Sequence, residues 1–250
     1  MKAVFTILKR ELQSYFASPV AYVVLLVFLI LSGIFFFLYL QGFVESQFDP
    51  RFQFFKEKVN LNDFVVRPYF GTVSIILLIM MPLITMRLIA EERRNFTAEL
   101  LFTSPVRVFH IILGKFLAAF SFFGVMVLIS GIYVIVLMAY GNPDLGSVLS
   151  GYLGLFLLGG SFLAVGLFSS SLTENQIVAA VISFGILLVF WIIGASSDAQ
   201  DSILGYLSII NHLDNFTKGV IELKDIIYYF SFILFGLFLT HIMLESERWR

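Results

Sequence analysis

Six long apolar stretches, none with a charged residue near its centre, constrain this chain more than any other feature. Each approaches the roughly 20 residues that a helix needs to cross the hydrocarbon of a bilayer. Lipid offers no hydrogen-bond partner to a peptide group, so each crossing must satisfy its own backbone, which selects the α-helix. Composition agrees, with 59% hydrophobic and 13% charged residues over a length of 250. The sequence therefore predicts an all-alpha integral membrane protein. Uncharged span centres leave no acid–base relay in the membrane interior.

The spans are expected at about residues 20–40, 69–89, 111–140, 151–168, 177–194 and 226–243. The first apolar run begins only after Pro19 and is long enough to span, unlike the short core of a cleaved leader. An even number of crossings puts both termini on one side. That side carries Lys2, Lys9, Arg10, Arg87, Arg93, Arg94, Arg107, Lys115, Arg248 and Arg250, ten of the sixteen basic residues. The bias toward Lys and Arg next to short loops predicts that both termini are cytoplasmic. Cysteine is absent, which excludes disulfides and thiolate metal sites. A net charge of -1 argues against nucleic acid as a partner.

Four segments outside the spans carry patterns. In residues 3–16, Val4, Phe5, Leu8, Leu12, Tyr15 and Phe16 recur at helical spacing, with Thr6, Lys9, Arg10 and Gln13 on other faces. This pattern fits a helix lying on the membrane surface, its Lys9 and Arg10 near lipid phosphates, before Pro19 bends the chain into the first span. Residues 87–115 place Glu91, Glu92, Arg93 and Arg94 ahead of Phe96, Leu100 and Leu101, with a break at Ser104-Pro105. A short helix with a charged start fits, and Phe96 and Leu101 on its apolar face suit a partner groove; an ordinary basic loop that fixes topology fits as well. Residues 41–68 are rich in phenylalanine and read as a small surface cap. Residues 198–225, with Ile203, Leu204, Leu207, Ile210 and Leu213 near one face and a break at Gly219, suit a pair of interfacial or re-entrant helices.

Catalytic and nucleotide motifs are missing. Gly114-Lys115 lacks the earlier glycine of a phosphate loop, and no HExxH pattern occurs. His110, His212 and His241 stand apart and read as packing or surface residues. Ser161, Ser169, Ser170 and Ser171 have no base and acid beside them for a triad. Ser161 with Gly159, Gly160 and Gly166 instead suggests close helix packing. Thr72, Ser74, Ser121, Ser130 and Ser183 suit either a polar passage or hydrogen bonds between helices. Pro82 marks a kink in the second span, static or gating. The thirty phenylalanines are accounted for as lipid-facing mass. Spans without central charges lack the main feature of an ion-driven carrier, although a broken helix can still bind an ion.

The segment MRLIAEERRNFTAELLFTSPV resembles the cytoplasmic region of type-2 ABC exporter permeases, in which an EER sequence leads to an LLxTSPV ending. KRELQSYFASPVAYV is similar to the family's connecting helix and first-span entrance. YLSIINHLDNFTKGVIELKDIIYY is similar to the segment before the final span in the gliding-motility branch of these permeases. The resemblance implies a six-helix exporter transmembrane domain with an N-terminal connecting helix over residues 1–19, permease domain over 20–250, and a coupling loop at about 90–106. It implies that Glu91, Glu92, Arg93, Phe96, Leu100 and Leu101 contact a separate ATPase, and that the chain is not itself an enzyme and binds no cofactor directly. ATP-Mg would sit in two partner ATPase domains. A second permease half would complete the transporter, either identical or a related protein with an extracytoplasmic domain. The implied location is a bacterial inner membrane. The output is transport of an unidentified substrate or mechanical control of a periplasmic complex, with an ion-coupled secondary transporter as the remaining alternative.

Overall fold

Two of the six spans carry the core, and the other four lean on them. The computed structural model describes residues 2–48, 60–97, 106–193 and 203–248. Helix α1 (Lys2–Ala17) is followed at Ser18 by α2 (Pro19–Phe48). After a π-helical turn (Asn62–Val66) the chain continues as α3 (Arg67–Thr85), turns, and forms α4 (Ala90–Arg94). Then come α5 (Val108–Tyr140), α6 (Leu145–Ser171) and α7 (Gln176–Ile193). Two short helices, α8 (Ile203–Leu207) and α9 (Ile209–Thr217), precede α10 (Leu223–Arg248). The six spans expected from hydropathy are therefore α2, α3, α5, α6, α7 and α10.

Helix α6 is central: it packs against α3, α5, α7, α9 and α10. Its most apolar window and that of α3 are each 72% buried, against 17% for α7 and 22% for α2 and α10. The sequence of α6 explains its place. Glycine removes the side chain that would hold two helices apart, and in lipid such close contact is a main source of association. A β-carbon on Gly166 would fall on the Thr85 side chain of α3, and one on Gly159 would fall on the Phe123 ring of α5. The expected packing role of the glycines around Ser161 is thus met, each toward a different neighbour.

Aromatic residues fill the space between the core helices. Phe28, Phe70, Phe122, Phe123 and Phe162 are fully buried, so part of the phenylalanine mass faces protein rather than lipid. Val23, Leu26, Ile30 and Phe37 on α2, and Val181, Val189 and Ile192 on α7, stay exposed. In hydrocarbon such faces carry no hydrophobic penalty.

The small polar residues within the spans mostly bond their own helix. Ser74, Ser121 and Ser130 donate to the carbonyls of Gly71, Leu117 and Val127 at 2.6, 2.7 and 2.7 Å, a local back-bond that needs neither a passage nor a neighbour. Thr72 reaches another helix, meeting the Tyr39 hydroxyl at 2.6 Å. Ser183 is buried and has no hydrogen-bond partner among the described residues.

Two departures concern charge. Lys115, counted among the basic residues of the cytoplasmic side and within the third expected span, is 1% exposed in α5. Asp225, in the first turn of α10, is fully buried. Its Oδ1 lies 2.6 Å from His212 Nδ1, and its Oδ2 accepts from Asn215 Nδ2 at 2.9 Å. His212 Nε2 lies 2.9 Å from the Tyr206 carbonyl, which only accepts, so that nitrogen carries a proton. The turn that brings these residues together contains Gly219 at φ 85.

Candidate coupling site

At the end of the bundle where α1 lies and α10 finishes, α4 is held from three directions. The first is its own start. Ile89 contributes no side-chain cap, so the leading N–H groups of this short helix need acceptors from elsewhere. Ser170 of α6 supplies one: its Oγ accepts from Ile89 N and Ala90 N, each at 3.0 Å, and donates to the Met86 carbonyl at 3.0 Å. Ser170 is fully buried. Its sequence context, a run of three serines, gives no hint of this role.

The second hold is ionic. Glu92 Oε1 lies 2.8 Å from Lys115 Nζ of α5 and 3.2 Å from Arg10 Nη2 of α1. Glu11 Oε1 bridges the same two cations, at 3.1 Å from Lys115 and 2.9 Å from Arg10. The ring is neutral, two acids against two bases. The Lys115 side chain is 2% exposed, whereas that of Arg10 is 57% exposed. A buried ammonium is tolerated only when well partnered, so the two carboxylates are a structural requirement of Lys115. Burial pushes the Glu11 carboxyl up, but Lys115 and Arg10 outweigh it and hold the group below its ordinary value.

The third direction is α1, which reaches α4 through Arg10 and is itself fixed to its neighbours. Its Ile7 rests on Gly114 of α5, where an added β-carbon would come within 2.8 Å of Ile7 Cγ2. Tyr15 is buried, stacks on Phe122 at 5.1 Å, and donates to the Ile84 carbonyl at 3.1 Å. Arg87 lies 4.6 Å over the Tyr15 ring and donates to Ser18 Oγ at 3.2 Å. Phe16, 40% exposed, meets Phe122 edge-on, while Lys9 is exposed. A cleft of about 600 Å³ separates α1 from α4, walled by Arg10, Tyr15, Arg87, Glu91 and Thr97 among others.

Helix α4 ends in an unusual way. Thr97 N bonds the Glu92 carbonyl at 2.9 Å and Phe96 N bonds that of Arg93 at 3.0 Å, the paired bonds of a Schellman cap. The residue at the left-handed position of such a cap is usually glycine. Here it is Phe96, at φ 57 and 76% exposed. A non-glycine residue in this region is held against roughly 1–2 kcal/mol of steric cost, while its ring is presented to the surroundings.

Of the residues expected to couple, Glu91 is exposed, Glu92 is in the ion ring, Arg93 is partly buried and Phe96 projects from the cap. Leu100 and Leu101 lie outside the described residues. Pro82 is buried inside α3, one turn before the chain leaves that helix toward α4. Among the described residues no group of three acids or histidines is placed to hold a metal.

Six spans, an amphipathic leader packed on the third of them and a short charged helix between the second and third form one arrangement with the sequence. The profile of the ABC-2 family transporter proteins matches residues 5–244. The chain belongs to the ABC-2 family. A comparison with curated proteins gives no match. As an ABC-2 permease the chain contributes a membrane domain without catalytic motifs of its own, and α4 lies between the second and third of its spans.

Proposed function

We propose that this ABC-2 protein is the membrane half of an ATP-driven transporter and that α4, with residues 95–101 after it, takes up the stroke of a separate ATPase. The observation that carries the reading is the anchoring of α4. A displacement of Glu92 must move Lys115 in α5 and Arg10 in α1, and a displacement of Ile89 must move Ser170 in α6. A short surface helix attached to three others can transmit force; one attached to a flexible loop would absorb it. Pro82 is the hinge between α3 and this lever: proline gives no N–H to the preceding turn, which leaves α3 easier to bend there.

Phe96 and Leu101 are the docking side chains, with Glu91, Arg93 and Leu100 around them. An exposed aromatic held in a strained cap is of little use to the isolated chain and of direct use in a partner's groove. Helix α1 lies at the cytoplasmic face of a bacterial inner membrane, Lys9 and Phe16 toward lipid. Both termini are cytoplasmic, as the basic residues favour. ATP-Mg binds in the two ATPase domains. The exposed apolar faces of α2 and α7 suit a second permease half; the likeness of residues 206–229 to the gliding-motility branch favours a related protein over an identical one. Coupling requires that the ATPase engage α4 differently in its two nucleotide states, since equal binding shifts no equilibrium.

The test is recovery of the ATPase with the purified permease. Phe96→Asp with Leu101→Asp is expected to reduce co-purified ATPase at least tenfold while membrane insertion stays normal. Full recovery with full ATP-dependent activity in that variant would refute the assignment. Reconstitution of the complex, with solute flux measured beside ATP hydrolysis, separates transport from purely mechanical output.

A further inference from the structure

At the opposite end of the bundle a groove of about 560 Å³ opens between α3, α7 and α9. Its mouth is charged. Asp214 Oδ1 accepts from Arg67 Nε at 3.0 Å and Nη2 at 2.7 Å, and its Oδ2 pairs with Lys218 at 2.6 Å. One carboxylate thus serves two cations, and Asp63 on the groove wall supplies the second acid. Lys218 lines the adjoining cavity, which shares Asp63 and Thr217 with this groove; the Arg67 and Lys218 side chains keep 41% and 44% exposure, so both can take a further anionic partner. The wall also carries apolar Ile75, Ile210 and Leu213. Arg67 opens α3 and Ile75 lies eight residues on, about 12 Å further along the helix.

One donor in this wall is unsatisfied. Trp191 Nε1 is buried and has no hydrogen-bond partner among the described residues. An indole N–H removed from water without an acceptor is unfavourable by about 1–3 kcal/mol, and the rest of the Trp191 ring lines the groove beside Ile75 and Ile210.

We propose that the groove binds a zwitterionic phospholipid of the bilayer. Its phosphate sits on Arg67 and Lys218, its ammonium faces Asp63, and one chain runs along Ile75, Ile210 and the Trp191 ring. The pairing follows from charge: two bases and two acids leave no net charge for a purely anionic headgroup, but offer each half of a zwitterion its counterpart. The arrangement stands apart from the ATPase lever, since it involves no residue of α1, α4 or α5.

The sequence has two tryptophans, Trp191 and Trp249. In a Trp249→Phe background, phosphatidylethanolamine with brominated chains, added to the detergent-solubilised full chain, is expected to quench Trp191 fluorescence saturably. Arg67→Gln with Lys218→Gln should raise the half-saturating concentration at least tenfold. Asp63→Asn, at an exposed position, should leave the fold intact and abolish the preference for phosphatidylethanolamine over brominated phosphatidylglycerol. Lys224→Gln, which removes a cation from the same end but outside the groove, should change nothing. Phosphoethanolamine without chains should not displace the lipid at equal concentration. Quenching that rises linearly without saturation, equal response to both headgroups in the parent, or displacement by the chainless headgroup would each overturn the assignment.

Discussion

Phe96 and Lys115 show how single residues in this protein are kept where stability alone would not place them. Phe96→Gly relieves a left-handed strain, so the variant is expected to unfold about 1 kcal/mol later than the parent, read as a higher Tm in detergent. It should at the same time retain less ATPase. A stabilised variant with undiminished partner binding would show that the ring has no docking role. Lys115 is the opposite case, a buried charge that needs both neighbours. Glu11→Gln with Glu92→Gln strands it and is expected to destabilise by roughly 3–5 kcal/mol, whereas adding Lys115→Met should restore most of the loss. The ring also sets a pH dependence. The folded-state pKa of Glu11 is depressed, so its contribution is present above the ordinary value of 4.5 and is lost as pH falls through the folded value. Acid unfolding curves of the parent and of the triple variant should therefore coincide in shape above that range and diverge below it, the parent losing more.

At the scale of elements, short α4 depends on its neighbours for order. Five residues make too few internal bonds to hold a helix in isolation, so the Ser170 hydroxyl and the ion ring do what propensity cannot. Ser170→Ala leaves two buried N–H groups without an acceptor and is expected to destabilise by about 1–3 kcal/mol. Because it leaves the exposed face of α4 untouched, ATPase should still bind while hydrolysis becomes poorly coupled to permease output. Loss of binding instead would mean that Ser170 merely supports the docking face. Helix α6 poses a different constraint. Gly166→Ala would drive a methyl group into Thr85 and separate α3 from α6, at roughly 1–3 kcal/mol, and Thr85→Ala should return part of it. Of these relations the glycine pattern of α6 is readable in the sequence; the Ser170 cap is not, since its donors lie some 80 positions away.

At the scale of the molecule, the fold separates two working ends. Network and cleft lie with the termini, while the Arg67–Asp214 groove and the His212–Asp225 pair lie opposite. The natural absence of cysteine makes the arrangement directly testable. Asn95→Cys should react with an impermeant maleimide only in inverted vesicles, and Val220→Cys only in right-side-out ones. The reverse pattern would place the lever on the wrong side for any cytoplasmic ATPase.

The order of residues along the chain is enough to set its solvent and its plan: six hydrocarbon-length runs leave a backbone no option but helices, and the uneven spread of Lys and Arg favours one orientation. Local spacing likewise gives α1 its two faces and α6 its glycine stripe, because both are properties of neighbours along the chain. Which charges meet is settled only by packing. Glu11, Glu92 and Lys115 are scattered among three segments, and His212 and Asp225 sit on either side of a turn. Such pairs depend on distances in space rather than along the chain, and the low dielectric that makes them strong exists only once the helices have packed.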